Sequence, residues 1–205
     1  YYPLNDDSVW GFVDKIAGDY FVLINTSISY DKQIFVCAHE LYHIITGTQT
    51  DFIPASVLDD KDEQGKGLAI NELKANRFAA EFLVEEGLLK QEMRTYKIGN
   101  GKTITPREAL VLSDLFMVPY KTMARRLYEI DAIKKTECEA FLSLKAEDIE
   151  KLRRLYGLAL PETKGQIRLD NLVELSTDLY EKHLITYEKL QYLLSFAGLE
   201  PAGIG

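Results

Sequence analysis

The sequence has few of the features that mark secreted, membrane-spanning or nucleic-acid-binding proteins. It contains two cysteines, Cys37 and Cys138, which form no repeated pattern and are expected to be reduced thiols in a cytoplasmic protein. No apolar run approaches the roughly 20 residues that a membrane span needs, and no signal peptide is visible. Lysine and arginine number 24 against 32 aspartates and glutamates, so the net charge of −8 argues against general affinity for nucleic acid.

Histidine is also scarce, and its placement is therefore informative. Only three histidines occur in 205 residues, and two of them stand in His39-Glu40-Leu41-Tyr42-His43, an H-E-x-x-H pentad inside an apolar run. Residues four apart on a helix share one face, so both imidazoles can reach one ion. Zinc in hydrolytic sites keeps a position for water, whose proton a neighbouring carboxylate can remove. The pentad predicts His39 and His43 as ligands and Glu40 as the general base.

A third ligand is expected on the next predicted helix, over residues 68–83. Glu72 lies 29 residues after His43 (72 − 43), which leaves enough chain for a loop that brings a second helix against the first. Asn76 follows one turn later on the same face, and we expect it to accept the other ring N–H of a ligand histidine. The other plan that uses this pentad needs a histidine six residues after His43, where this chain has Gln49.

Ahead of this second helix, the pattern predicts a small sheet and the helix of the pentad. Two short stretches, Val9–Val13 and Tyr20–Asn25, flank Ala17-Gly18-Asp19 and predict a hairpin. The pentad helix is expected from about Lys32 to Gly47, and residues 48–67 are interpreted as a solvated polar loop. We also hypothesise that an extended peptide pairs with an open edge of the second strand.

From Thr105 the sequence predicts mainly helices. Thr105-Pro106-Arg107-Glu108 is a capping box, and the two helices that follow, with a break at 117–119, resemble a helix-turn-helix. Lys121, Arg125 and Arg126 lie on its second helix, which makes DNA recognition one hypothesis. Because the chain is acidic, we favour the alternative that this segment is a packing motif.

These elements predict an α+β fold, in which a small antiparallel sheet packs on a two-helix zinc-peptidase core and a mostly helical half follows. A second capping box is expected at Thr136-Glu137-Cys138-Glu139. The expected domains are a peptidase core over 1–103, a helix-turn-helix-like segment over 104–131 and a helical region over 132–205. That last region includes amphipathic helices at 146–156, 170–182 and 186–197.

Two segments resemble the metal-binding segments of the ImmA/IrrE family of metallopeptidases. They are Cys-Ala-His-Glu-Leu-Tyr-His-Ile-Ile, from Cys37, and Glu-Leu-Lys-Ala-Asn-Arg-Phe-Ala-Ala-Glu-Phe-Leu, from Glu72. The resemblance implies Zn2+ held by His39, His43 and Glu72, with Glu40 as base, similar to the gluzincin plan. It also implies a bacterial cytoplasmic peptidase whose substrate is a helix-turn-helix repressor of mobile elements or stress responses. Val84-Glu85 departs from the Met-Pro of many members.

The leading prediction is therefore a zinc-dependent endopeptidase that cleaves a regulatory protein and has no membrane partner. Arg126, His183 or a nearby tyrosine is expected to stabilise the tetrahedral oxyanion, and the sequence does not choose among them. The main alternative is a regulatory DNA- or protein-binding module whose metal site is structural or vestigial. A third hypothesis is a scaffold whose helical C-terminal half carries the surface for a partner that the peptidase trims.

Overall fold

A computed structural model describes the chain except residues 5, 17, 49–52, 55–56, 59–68, 102, 164, 166–170, 197–198 and 200–205. The described residues form three strands and nine helices. In order, these are β1 (Val9–Ile16), β2 (Asp19–Ile24), α1 (Tyr30–Thr46), β3 (Ile53–Pro54), α2 (Ile70–Leu83), α3 (Glu86–Thr95), α4 (Pro106–Phe116), α5 (Tyr120–Glu129), α6 (Lys135–Leu142), α7 (Ala146–Leu155), α8 (Leu172–Glu181) and α9 (Tyr187–Phe196). The fold is α+β, as predicted. None of these helices has both the length and the apolar character needed to cross a bilayer.

The predicted hairpin is confirmed, and the sheet has a third strand that was not expected. β1 and β2 are antiparallel, with Gly11 opposite Ile24 at one end and Ile16 opposite Asp19 at the other. β3 pairs with the other edge of β1, so the strand order is β2-β1-β3. The interpretation of 48–67 as a solvated loop is therefore wrong at Ile53, which is fully buried. A two-residue strand has no alternating pattern for the sequence to reveal, and most of this segment lies outside the described residues.

The helix α1 packs on the sheet at a point where the strand has no side chain. A Cβ atom at Gly11 would lie 2.6 Å from Cγ1 of Val36 on α1 and 2.6 Å from the carbonyl oxygen of Leu23 on β2. Both distances are far shorter than non-bonded contacts of a carbon atom. The absence of a side chain at Gly11 therefore allows the sheet and the helix to approach this closely. At its other end, α1 stops at Gly47, whose φ of 65° is the left-handed conformation common at helix C-termini.

Asn25, directly after β2, joins the N-terminal segment to the sheet and to the connection that leads to α1. Its side chain is fully buried. The amide oxygen accepts hydrogen bonds from the backbone N–H groups of Leu4 and Ser27, at 3.0 and 2.9 Å. The amide nitrogen donates to the carbonyl groups of Asp6 and Val9, at 3.0 and 2.7 Å. All of its polar atoms are thus paired, which fixes the chain between β2 and α1.

In the described part of the chain two apolar clusters form the core, and Leu83 at the end of α2 packs against both. The first cluster joins the sheet to α1 and α2 through side chains that include Trp10, Ile24, Phe35 and Ala79. The second cluster extends from Val84 to Phe141 and contains side chains of α3, α4, α5 and α6. Helix α7 packs against it. The helix that carries Glu72 therefore ends where the helical half begins. The domain boundaries proposed at residues 103 and 131 stay predictions.

Of the two capping boxes predicted in the second half of the chain, one is present in the structure and the other is not. The capping box at Thr105 and Glu108 is confirmed on α4. The one expected at Thr136 is wrong, because α6 begins at Lys135 and the Glu137 carboxylate instead accepts from the N–H of Lys134 at 2.7 Å. Glu139, the glutamate of the expected box, instead lies 3.9 Å from Nζ of Lys135 across one turn of α6. Residues 117–119 separate α4 from α5, as the pattern predicted.

Candidate metal centre

Two neighbouring helices bring the three predicted ligands together. The Nε2 atom of His39 lies 3.0 Å from Oε2 of Glu72 and 3.2 Å from Nε2 of His43. His43 Nε2 lies 3.5 Å from Oε1 of Glu72. Among the described residues, these three make up a group of potential ligand atoms that all lie within 4.8 Å of one another. The spacing of four on α1 and the single carboxylate on α2 thus converge on one point.

Small residues allow the two helices to approach closely enough for this convergence. Ala75, Ala79 and Ala80 are the buried residues of α2, and they follow Glu72 by three, seven and eight residues, which places them on its side of the helix. Tyr42 on α1 packs against Phe78 on α2, with ring centroids 5.8 Å apart, and its edge contacts the ring of His43 at 5.5 Å. The alanine face and the aromatic contact together hold α2 beside the pentad.

Asn76 contacts His39 in the way the sequence suggested. Its Oδ1 atom lies 2.9 Å from Nδ1 of His39, and its amide nitrogen donates to the carbonyl of Val57 at 3.0 Å. Because an amide oxygen only accepts, Nδ1 of His39 is the donor and carries the proton. The Nε2 lone pair of His39 therefore faces Glu72. The role of this contact in metal binding stays a prediction.

Thr48 is a contact of the site that the sequence analysis missed. Its hydroxyl oxygen lies 2.8 Å from Nδ1 of His43 and 2.9 Å from the hydroxyl oxygen of Thr46. The available signal was a hydroxyl residue directly after Gly47, five positions beyond the second histidine of the pentad. That signal is weak, because the contact requires the chain to turn back beside the helix.

Glu40 is a fully buried carboxylate without a hydrogen-bonding partner among the described residues. His39, Glu40 and His43 are each 0% exposed, and neither carboxylate oxygen of Glu40 has a partner. Burial, and then the charge of Glu72, raise the pKa of Glu40 to about 8. An unpaired buried carboxylate is costly, so its retention beside three ligand atoms indicates a functional group.

Glu72 differs from Glu40 in its protonation behaviour. Burial raises the pKa of Glu72, but the imidazoles of His39 and His43, which hydrogen-bond and attract the carboxylate when protonated, lower it to about 2. Glu72 is therefore ionised at neutral pH. Two imidazole nitrogens and one carboxylate oxygen are a donor set typical of catalytic zinc, so the residues present fit that ion.

The structure does not bring Arg126 or His183 to this centre. Arg126 is buried on α5, where its Nε donates to the carbonyl of Val84 at 3.1 Å and its Nη1 pairs with Glu129 at 2.5 Å. His183 is exposed just after α8, a helix that packs against α9. Their expected role at the oxyanion stays a prediction. Burial of Arg126 also removes one of the three basic side chains on which the DNA hypothesis depends.

A pentad on one helix and a glutamate ligand on the next define the class of this site as a candidate metal centre of the H-E-x-x-H type. The family model described as the IrrE N-terminal-like domain, a peptidase family, matches residues 1–128. The chain belongs to this family, which confirms the resemblance read from its two segments. Comparisons with curated proteins and with solved structures found no match.

Proposed function

We propose that this peptidase is a zinc-dependent endopeptidase. The observation that carries the proposal is the convergence of His39 Nε2, His43 Nε2 and the Glu72 carboxylate beside a buried, unpaired Glu40. Three atoms that offer lone pairs repel one another at these distances unless a cation or a proton lies between them. The proton on Nδ1 of His39 is committed to Asn76, which favours a cation.

The residues divide the chemistry between binding and proton transfer. His39, His43 and Glu72 would hold the ion, and zinc in such a site supplies Lewis-acid polarisation and lowers the pKa of water. Glu40 accepts a proton from the attacking water and later delivers it to the nitrogen of the departing amine, so its charge is restored in each cycle. A raised pKa suits both steps, because the carboxylate must take the proton and then give it up.

The substrate class that we propose is a regulatory protein, in particular a helix-turn-helix repressor in the cytoplasm. Membership of the family supports this class, and so does charge, since a net charge of −8 complements the basic surface of a DNA-binding protein. The cytoplasmic location is supported by the two free cysteines, Cys37 and Cys138.

The test uses Glu40→Gln with Glu81→Gln as a matched control. Glu81 lies on α2, and its exposed carboxylate pairs with Arg77 at 2.8 Å, away from the three ligands. Each protein is loaded with zinc, its metal content is measured, and cleavage of candidate repressors is followed by mass spectrometry. We expect Glu40→Gln to keep zinc and lose cleavage by at least about 100-fold, whereas Glu81→Gln stays active. Unchanged cleavage by Glu40→Gln would overturn the mechanism.

A further inference from the structure

A pair of threonine hydroxyls lies behind His43, on the side away from Glu72. We propose that Thr48 is a positioning residue which, together with Thr46, holds His43 in the tautomer that carries its proton on Nδ1. The Nε2 lone pair of His43 then points at the proposed ion. The assignment of the tautomer stands on hydrogen bonding alone, while its consequence for zinc rests on the proposed function.

The direction of the hydrogen bonds follows from counting protons, beginning at Thr46. The Thr46 hydroxyl lies 2.8 Å from the carbonyl oxygen of Tyr42, one turn earlier on α1. A carbonyl oxygen only accepts, so Thr46 donates its single hydroxyl proton to Tyr42. Thr46 therefore has no proton left to offer to Thr48.

The contact between Thr46 and Thr48 then determines which nitrogen of the His43 imidazole carries the proton. Thr46 and Thr48 have their hydroxyl oxygens 2.9 Å apart, and Thr48 must be the donor because the proton of Thr46 is already used. Thr48 then has only a lone pair for Nδ1 of His43, which lies 2.8 Å away. A lone pair can be satisfied only by a proton on that nitrogen, so His43 is the Nδ1–H tautomer.

The opposite direction would leave unsatisfied groups. If Thr48 donated to His43, two oxygen lone pairs would face each other at the Thr46–Thr48 contact unless Thr46 gave up its bond to Tyr42. Either outcome loses a hydrogen bond near a buried imidazole. Oε1 of Glu72 and Nε2 of His39 could each accept from a proton on His43 Nε2, at 3.5 and 3.2 Å. Thr48 is the nearer acceptor, at 2.8 Å from Nδ1, and its lone pair is fixed toward His43 by the bond from Thr46 to Tyr42.

The end of helix α1 creates this arrangement. Thr46 is its last residue, and Gly47 turns the chain with a φ of 65°, so that Thr48 returns beside the preceding turn of the helix. His39 is held by an amide on another helix, whereas His43 is held by the Thr48 hydroxyl just beyond the end of its own helix. Both arrangements leave an Nε2 lone pair toward Glu72, which completes the donor set from both sides.

The first part of the test measures zinc affinity by competition with a chromogenic chelator. Thr48→Val keeps the side-chain shape and removes the acceptor, so we expect zinc affinity to fall about 10- to 100-fold, with recovery in Thr48→Ser. Thr46→Val frees the proton of Thr48 to turn toward His43, and we expect a smaller loss. The matched control is Thr95→Val, at an exposed position of α3, which removes the same kind of bond to the carbonyl four residues earlier and should change nothing.

The second part reads the tautomer directly, by 15N NMR of the imidazoles in metal-free protein, at a pH where the 15N shifts of His43 are those of a neutral ring. We expect the proton of His43 on Nδ1 in the natural protein, in Thr48→Ser and in Thr95→Val. Thr48→Val and Thr46→Val should shift it toward Nε2. A proton on Nε2 in the natural protein would overturn the inference, whether or not zinc binds. The expected tautomer without zinc binding would overturn the proposed function alone.

Circular dichroism of each variant shows whether it folds. Thr46 is exposed, so Thr46→Val is the variant least able to disturb packing. A Thr48→Ser variant that binds zinc no better than Thr48→Val would show that a hydroxyl at this position does not restore the affinity, which would also overturn the inference. Equal affinity of all four variants and the natural protein would do the same.

Discussion

Oδ1 of Asn76 accepts a hydrogen bond from Nδ1 of His39 across the interface between α1 and α2, at 2.9 Å. We expect Asn76→Leu to lower zinc affinity about 10- to 100-fold, because the ring of His39 loses both its orientation and its fixed tautomer. Asn76→Asp keeps an acceptor for His39 and loses the donor to Val57, so its loss should be smaller. Chelator competition measures both. Equal losses in the two variants would assign the effect to Val57 rather than to His39.

The buried carboxylate of Glu40 should make the stability of the metal-free protein depend on pH. Its pKa rises from 4.5 to about 8 on folding. Because the folded pKa is the higher one, this contribution to stability is fully present below about pH 4.5 and is lost as the pH rises through about 8. The loss amounts to at most about 5 kcal/mol.

Urea unfolding in the presence of a chelator, at about pH 5 and about pH 9, measures this effect. The natural protein should lose stability between the two, and Glu40→Gln should lose much less, since its amide does not ionise. Added zinc should reduce the loss, because a nearby cation favours the charged carboxylate. Parallel pH profiles for the two proteins would contradict the assignment to Glu40.

Gly11 should be intolerant of any side chain. In Gly11→Ala the new methyl group would meet Val36 and the carbonyl of Leu23 at 2.6 Å, so sheet and helix must separate. We expect a loss of about 2 to 4 kcal/mol in the free energy of unfolding, measured by urea denaturation. The control is Gly101→Ala, whose added Cβ atom meets nothing within 4 Å, although its φ of 75° brings a modest cost of about 1 kcal/mol. Equal losses at the two positions would refute the packing argument.

Arg126 offers a direct test of one predicted oxyanion stabiliser. Its guanidinium donates to the carbonyl of Val84 and pairs with Glu129. In Arg126→Lys a single ammonium cannot reproduce both contacts, so we expect stability to fall by about 1 to 3 kcal/mol while kcat per folded molecule stays unchanged. Thermal unfolding and steady-state kinetics measure the two effects. A lower kcat with unchanged stability would instead support a role at the oxyanion.

The sequence revealed those parts of the site that follow from the periodicity of a single helix. His39 and His43 share a face because they lie four residues apart, and Asn76 follows Glu72 by the same spacing. Pairing of α1 with α2 was inferred from the length of the connection, and the structure places the ligands of the two helices within 4.8 Å. The scarcity of histidine and the spacing of four residues were therefore enough to predict which side chains meet at the site.

The contacts that escaped prediction depend on how distant segments meet. β3 is too short to show a pattern, and it pairs with a strand far away in the chain, since Ile53 lies 42 residues after its partner Gly11 (53 − 11). Thr48 contacts His43 only because the chain reverses at Gly47. The pattern of α5 did not reveal that Arg126 is buried and donates to the carbonyl of Val84, just after α2. Each case is set by tertiary packing, which local residue preferences do not encode.

The hydrogen bond from Asn76 to the carbonyl of Val57 connects the metal centre to the segment that follows β3. That carbonyl selects which way the amide of Asn76 points, and the amide in turn selects the protonated nitrogen of His39. Val57 thus orients a ligand of the candidate centre, although it lies on neither α1 nor α2. Substitutions at Val57 that move this carbonyl are therefore expected to weaken metal binding, even when every predicted ligand and Glu40 are unchanged.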